Sequence, residues 1–132
     1  MDEHPLILVV DDAGELLKML PVQLEHWGYR VVTAATGEHG LELAKTQRPN
    51  VILLDMLLPK MKGREFCQHL KRDAALARIP VIFLTALGHD DYIRNAFEMG
   101  AVDYITKPFQ PEYLRERIRL CLLRSMPTRE GA

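Results

Sequence analysis

At 132 residues the chain has the size of one ordinary domain, and a domain of this length buries about two-thirds of its unfolded surface, so folding requires neither disulfides nor a structural metal. A hydrophobic share of 48% beside a charged share of 27% is that of a soluble globular protein. A formal net charge of −1 gives no electrostatic reason to expect nucleic acid or a membrane surface as a direct partner.

The chain opens on Met1-Asp2-Glu3-His4-Pro5, an acidic stretch that leads straight into a strand-like run, so no signal peptide is expected. No apolar stretch approaches the ~18 residues of a membrane span, and a cytoplasmic location follows as the expectation. Short apolar runs then alternate with amphipathic segments. Residues 6–10, 31–34, 51–54 and 81–84 are continuous apolar runs of strand length, and Tyr104-Ile105 is a weaker fifth. Runs apolar on both faces suit parallel strands covered by helices on each side.

Helical periodicities fill the intervals. Leu16, Leu17, Leu20, Leu24 and Trp27 form a first stripe, interrupted by Pro21, which predicts a local kink. Leu41 with Ala44, then Phe66, Cys67 and Leu70, then Ile93, Ala96 and Phe97, and finally Leu114, Ile118, Cys121 and Leu122 complete five. Gly28, Pro49 and Gly100 stand where terminators belong. Cys67 and Cys121 lie inside these stripes without metal or redox spacing and are expected as buried free thiols in a reducing compartment. Five βα units with right-handed crossovers predict an α/β fold, a doubly wound (βα)5 five-stranded parallel sheet with helices on both faces.

In an open parallel sheet ligands bind beyond the carboxyl ends of the strands, so the residues at those ends carry the functional information. The first strand ends in Asp11-Asp12, the third in Asp55, the fourth in Thr85-Ala86, and the fifth leads into Lys107-Pro108. Alone, a carboxylate pair after a strand is usually a helix cap, and a strand-end hydroxyl or lysine is commonplace. Asp55 is less ordinary, because a charge directly after a fully buried run needs a partner. Three clustered carboxylates repel one another unless a cation lies among them, and hard oxygen donors with room for water suit Mg²⁺.

The strings VVDDAG, LLDMLLPKMKG, FLTA and YITKPF, in this order and spacing, resemble the receiver domains of two-component response regulators, of the flavodoxin-like, chemotaxis-regulator type. The resemblance covers residues 6–123. It implies strand order 2-1-3-4-5, with residues 1–124 as the receiver and 125–132 as a short polar tail. It implies Asp55 as the phosphoacceptor nucleophile, Asp12 and Asp55 as direct ligands of Mg²⁺ (or Mn²⁺ in its place), Asp11 as a ligand through water, and Leu57 as a ligand through its backbone carbonyl. Lys107 and Thr85 would contact the phosphoryl group, and Thr85 and Tyr104 would form the switch. Pro59 and Gly63 match the turn after the acceptor strand, and the Lys107-Pro108 bond is expected to be cis. The implied donor is the phosphohistidine of a sensor histidine kinase or phosphotransfer protein. The chain would then be no enzyme beyond catalysing its own phosphorylation and dephosphorylation.

The departures lie close to the site. The family commonly has glycine and aspartate where this chain has Lys60 and Lys62, and Leu57 and Leu87 are apolar where many members are polar. The fourth helix, fifth strand and fifth helix are expected to carry the output, and Asp103 with Arg115, Arg117 and Arg119 offers charges for a two-fold homodimer of these faces. Two rival readings remain. A haloacid-dehalogenase-like phosphohydrolase would want a second acid two residues after the nucleophile, where Leu57 stands. A pseudo-receiver acting only as an interaction module is opposed by the full set of Asp11, Asp12, Asp55, Thr85 and Lys107.

Overall fold

The computed structural model describes residues 4–125. Five strands alternate with five helices: β1 Leu6–Val10, α1 Gly14–His26, β2 Arg30–Ala34, α2 Gly37–Gln47, β3 Val51–Leu54, α3 Gly63–Arg72, β4 Val81–Thr85, α4 Asp90–Glu98, β5 Asp103–Thr106 and α5 Pro111–Ser125. All strand pairs are parallel, in the order β2-β1-β3-β4-β5. This is the doubly wound (βα)5 fold that the alternation of runs predicts. Ser125, the first residue of the expected tail, still belongs to α5, and residues 126–132 lie outside the described residues.

The period-two geometry of the strands sorts the core into two layers. Leu8, Val10, Ile52, Leu54, Val81 and Phe83 face one side and pack against Leu41 and Ala44 of α2, Phe66, Cys67 and Leu70 of α3 and Ala96 of α4. Ile7, Val9, Val51, Leu53, Ile82, Leu84 and Ile105 face the other side and pack against Leu20 and Leu24 of α1 and Leu114, Ile118 and Cys121 of α5. Each fully buried Leu, Ile or Phe contributes about 1.5–3 kcal/mol, so these two layers are the principal stabilising term. Burial on both faces explains why the runs read as continuously apolar.

The helix ends follow local chemistry. Thr36 caps α2, its Oγ1 accepting from His39 N–H at 3.1 Å. That helix closes on Arg48 at φ 52°, while Gly28 and Gly100 take positive φ just past α1 and α4. Helix α1 runs unbroken through Pro21.

One predicted core position differs. Phe97 is 48% exposed, because Ile93 and Ala96 already turn the inner face of α4 to the sheet and Phe97 points outward beside it. Cys67 and Cys121 are buried and free, and burial pushes each thiol up to about 11. Among the described residues no helix is long and apolar enough to cross a membrane.

Candidate acceptor site at the strand ends

Strand register assembles the site. Val10 pairs with Leu54, so the residues that follow, Asp11 and Asp55, emerge side by side at the central strands. Their backbones continue the ladder for one more step: Asp11 N–H donates to Ala34 O and Asp55 N–H to Val10 O, each at 3.0 Å. On the far side Thr85 pairs with Thr106, and Lys107 N–H donates to Thr85 O at 2.8 Å. The point where β1 is flanked by β2 and β3 is the reversal of strand order, where a crevice opens in this class of sheet.

One carboxylate oxygen from each of Asp11, Asp12 and Asp55 lies within 4.8 Å of the others. Asp11 and Asp55 are buried and Asp12 is exposed. Asp11 Oδ1 accepts from Ala13 N–H at 2.8 Å and its Oδ2 from Lys107 Nζ at 2.6 Å. Asp55 Oδ1 accepts from Leu57 N–H at 3.0 Å, and its Oδ2 lies 3.3 Å from the same ammonium. Three carboxylates against one ammonium leave two formal negative charges uncompensated. Burial by itself would lower the Lys107 ammonium, but the hydrogen bond to Asp11 and the charges of Asp55 and Asp11 outweigh it and hold it above its ordinary value. The Lys107-Pro108 peptide is cis.

Thr85 is fully buried, and its Oγ1 accepts from Leu87 N–H at 3.5 Å. Tyr104 is buried with its ring tilted against Phe83, centroids 6.1 Å apart, and its hydroxyl donates to Leu87 O. Met56 Sδ lies 3.6 Å from that hydroxyl. Burial, then the charge of Asp55, then Tyr92, push the Tyr104 phenol up.

Gly63 closes the loop after Asp55 because nothing larger fits. A Cβ there would come within 2.8 Å of the Phe83 ring and 3.2 Å of Met56 Cα. Pro59 is exposed at the start of the same turn. Leu57 is 49% exposed and Leu87 half-buried.

All of the strand-end residues singled out from the sequence therefore stand at one edge. Two relationships were not legible there. Leu87 joins Thr85 to Tyr104 through its backbone N–H and carbonyl rather than its side chain, and a backbone link leaves no mark on residue type. Asp103 pairs with Arg117 of its own chain, Arg119 Nη2 lies 2.7 Å from Glu116 Oε2, and the Arg115 guanidinium sits 5.6 Å from the Trp27 ring centroid. Within the chain Asp103, Arg117 and Arg119 thus have charged partners, and Arg115 lies over an aromatic ring.

Residues 7–119 match the response regulator receiver domain family. The chain belongs to that family. It is 42% identical over 121 residues to the DNA-binding dual master transcriptional regulator RpaA of Synechocystis sp., covering 92% of this chain and 50% of that protein. A putative response regulator from Chloroflexus aurantiacus superposes with a TM-score of 0.87 at 34% identity, covering 92% of this chain and 100% of the other. The receiver domain of sensor histidine kinase PA1611 from Pseudomonas aeruginosa superposes with a TM-score of 0.83 at 28% identity, covering 90% of this chain and 98% of the other, and holds a magnesium ion in its active-site cleft. The receiver spans about half the length of the curated relatives it matches. Their names describe transcriptional regulators, one of them DNA-binding, and lend no support to the expectation that nucleic acid is not a direct partner.

Proposed function

We propose that this receiver accepts a phosphoryl group onto Asp55 from the phosphohistidine of a sensor histidine kinase or phosphotransfer protein, in a Mg²⁺-dependent reaction, and that this switches the surface of α4, β5 and α5. The observation that carries this reading is the meeting of the Asp55 carboxylate with Asp11, Asp12 and Lys107 at one strand edge.

The donor set fits a hard divalent cation: three carboxylates lie within reach of one another with an excess of negative charge. Asp12, Asp55 and the Leu57 carbonyl would hold it directly and Asp11 through water. When bound, Mg²⁺ supplies electrostatic stabilisation to the oxygens of the transferring phosphoryl group.

The protein's own residues do the rest. An Asp55 carboxylate oxygen attacks phosphorus, the P–N bond to the donor imidazole breaks, and an acyl phosphate forms. The Leu57 N–H bond to Oδ1 fixes the carboxylate plane for that approach. Lys107, already between Asp11 and Asp55, needs only a small displacement to bring its ammonium to the phosphoryl oxygens. The Thr85 hydroxyl donates a further hydrogen bond. Drawing Thr85 toward the phosphoryl group pulls on the backbone of Leu87, whose carbonyl holds Tyr104, and so couples the site to β5.

Incubation with acetyl phosphate followed by intact-mass analysis tests the proposal. One phosphoryl group is expected in the presence of Mg²⁺ and none when the ion is chelated. Incorporation that ignores the chelator would contradict it.

A further inference from the structure

Two residues in the turn after Asp55 stand where local physics disfavours them. Lys60 has φ 69° at the centre of a three-residue turn closed by Met61 N–H to Pro59 O at 2.7 Å. This is the strained, positive-φ form of the turn, which glycine relieves. Lys62 occupies the N-cap of α3. It brings no oxygen to accept the free N–H groups of the first turn, and its ammonium sits at the positive end of the helix dipole, where Asn, Asp or Ser is favoured. Glu65 eases this in part by accepting from Lys62 N–H at 3.3 Å.

Met61, between them, is anchored. It packs against the core and lies over Gly37, where a Cβ would come within 2.8 Å of its Sδ. Pinning Met61 inward leaves Lys60 and Lys62 exposed on either side of it, in the loop that leaves the same strand end as Asp55. Breaches of local preference that cluster beside a site are a signature of function, since nothing in the fold itself rewards them.

We infer that Lys60 and Lys62 form a cationic lip that steers the dianionic phosphoryl group of the donor toward Asp55. The inference rests on the reading of Asp55 as acceptor. With a divalent ion bound, Asp11, Asp12 and Asp55 are formally balanced by the ion and Lys107, so the lip supplies the net positive charge that attracts an incoming dianion and raises the local donor concentration. The lysines make no bond in the reaction. With acetyl phosphate as donor, the Asp55 oxygen–phosphorus bond forms, the bond from phosphorus to the acetyl oxygen breaks, and acetate leaves with the electron pair.

The experiment compares initial rates of acyl phosphate formation from acetyl phosphate in wild type, in K60G/K62N, which restores the locally favoured residue types without charge, and in K60R/K62R, which keeps the charge. Mg²⁺ is held at a level saturating for each protein. At low ionic strength K60G/K62N is expected to react about 3- to 10-fold more slowly than wild type, with K60R/K62R unchanged. In about 0.5 M NaCl the gap should close to within about 2-fold, because the Debye length falls to a few ångströms. K60G/K62N should melt no lower than wild type. Equal rates at low salt, a deficit that survives high salt, or a deficit shared by K60R/K62R would overturn the lip while leaving Asp55 as acceptor. A wild type that takes up no phosphoryl group would overturn both.

Discussion

The Tyr104 hydroxyl donates to the carbonyl of Leu87, and the N–H of the same residue reaches Thr85 Oγ1 at 3.5 Å, so the ring on β5 is tied to the hydroxyl at the end of β4 through the backbone of one residue. The tie is made of hydrogen bonds alone and is removed by a single atom. Tyr104→Phe keeps the ring against Phe83 and leaves the Leu87 carbonyl without its donor. We expect a loss of about 1 kcal/mol, read as a lower urea midpoint with an unchanged m-value. A midpoint equal to wild type would mean that this bond contributes nothing to the folded state.

Alkaline pH should weaken the fold by a route that the buried groups specify. Burial raises the Cys67 and Cys121 thiols from 9.0 to about 11, and the phenols of Tyr29 and Tyr104 are also raised by burial. A group whose folded pKa is raised holds its proton more tightly when folded, so its contribution is complete below the unfolded value and is lost as pH rises through the folded one. The thermal midpoint should therefore fall between about pH 9 and pH 11, and the decline should be shallower in Cys67→Ala/Cys121→Ala. A decline as steep in that variant would remove the thiols from the account.

Holding Asp11, Asp12 and Asp55 together opposes folding through like-charge repulsion, and a divalent ion that binds only the folded form must stabilise it. At about 100 times its dissociation constant Mg²⁺ should add ~2.7 kcal/mol. Thermal unfolding with and without millimolar Mg²⁺ should show a higher midpoint for wild type and a much smaller rise for Asp12→Ala. An equal rise in both would place the ion elsewhere.

How long the phosphorylated state lasts should depend on Leu57. Hydrolysis needs a water in line behind phosphorus, and Leu57 is 49% exposed at the mouth of the site with no group to hold one. Leu57→Asn supplies that group. Decay after donor removal should quicken by about 3- to 30-fold, equivalent to ~0.7–2 kcal/mol of barrier. Decay at the wild-type rate or slower would show that this side chain does not set the lifetime.

What could be read from the sequence divides along physical lines. The strands were plain because both faces of a parallel sheet are covered, so residues such as Ile52 and Leu53 are apolar without interruption. Asp55 stands out because a charge directly after a fully buried run needs a partner, while the roles of Asp11, Asp12, Thr85 and Lys107 are legible only through the resemblance of the strings that carry them. Phe97 falls outside the core although its spacing suits the stripe, because apolar periodicity on a short helix does not fix where the buried face ends. The pairing of Asp103 with Arg117 is not legible, because opposite charges in a sequence do not say whether they meet within one chain or between two. Lys60 was visible as an unusual residue, but its left-handed backbone was not, since side-chain identity there argues against the conformation it adopts.

If Asp55 is the phosphoacceptor, the modification must be found there. Protein phosphorylated with acetyl phosphate and Mg²⁺ is divided, one half treated with hydroxylamine, and the modified peptide identified by mass spectrometry. A hydroxylamine-labile phosphoryl group is expected on the peptide that carries Asp55, and none on Asp55→Asn. A label that resists hydroxylamine, persists in Asp55→Asn, or maps to a histidine would contradict that role.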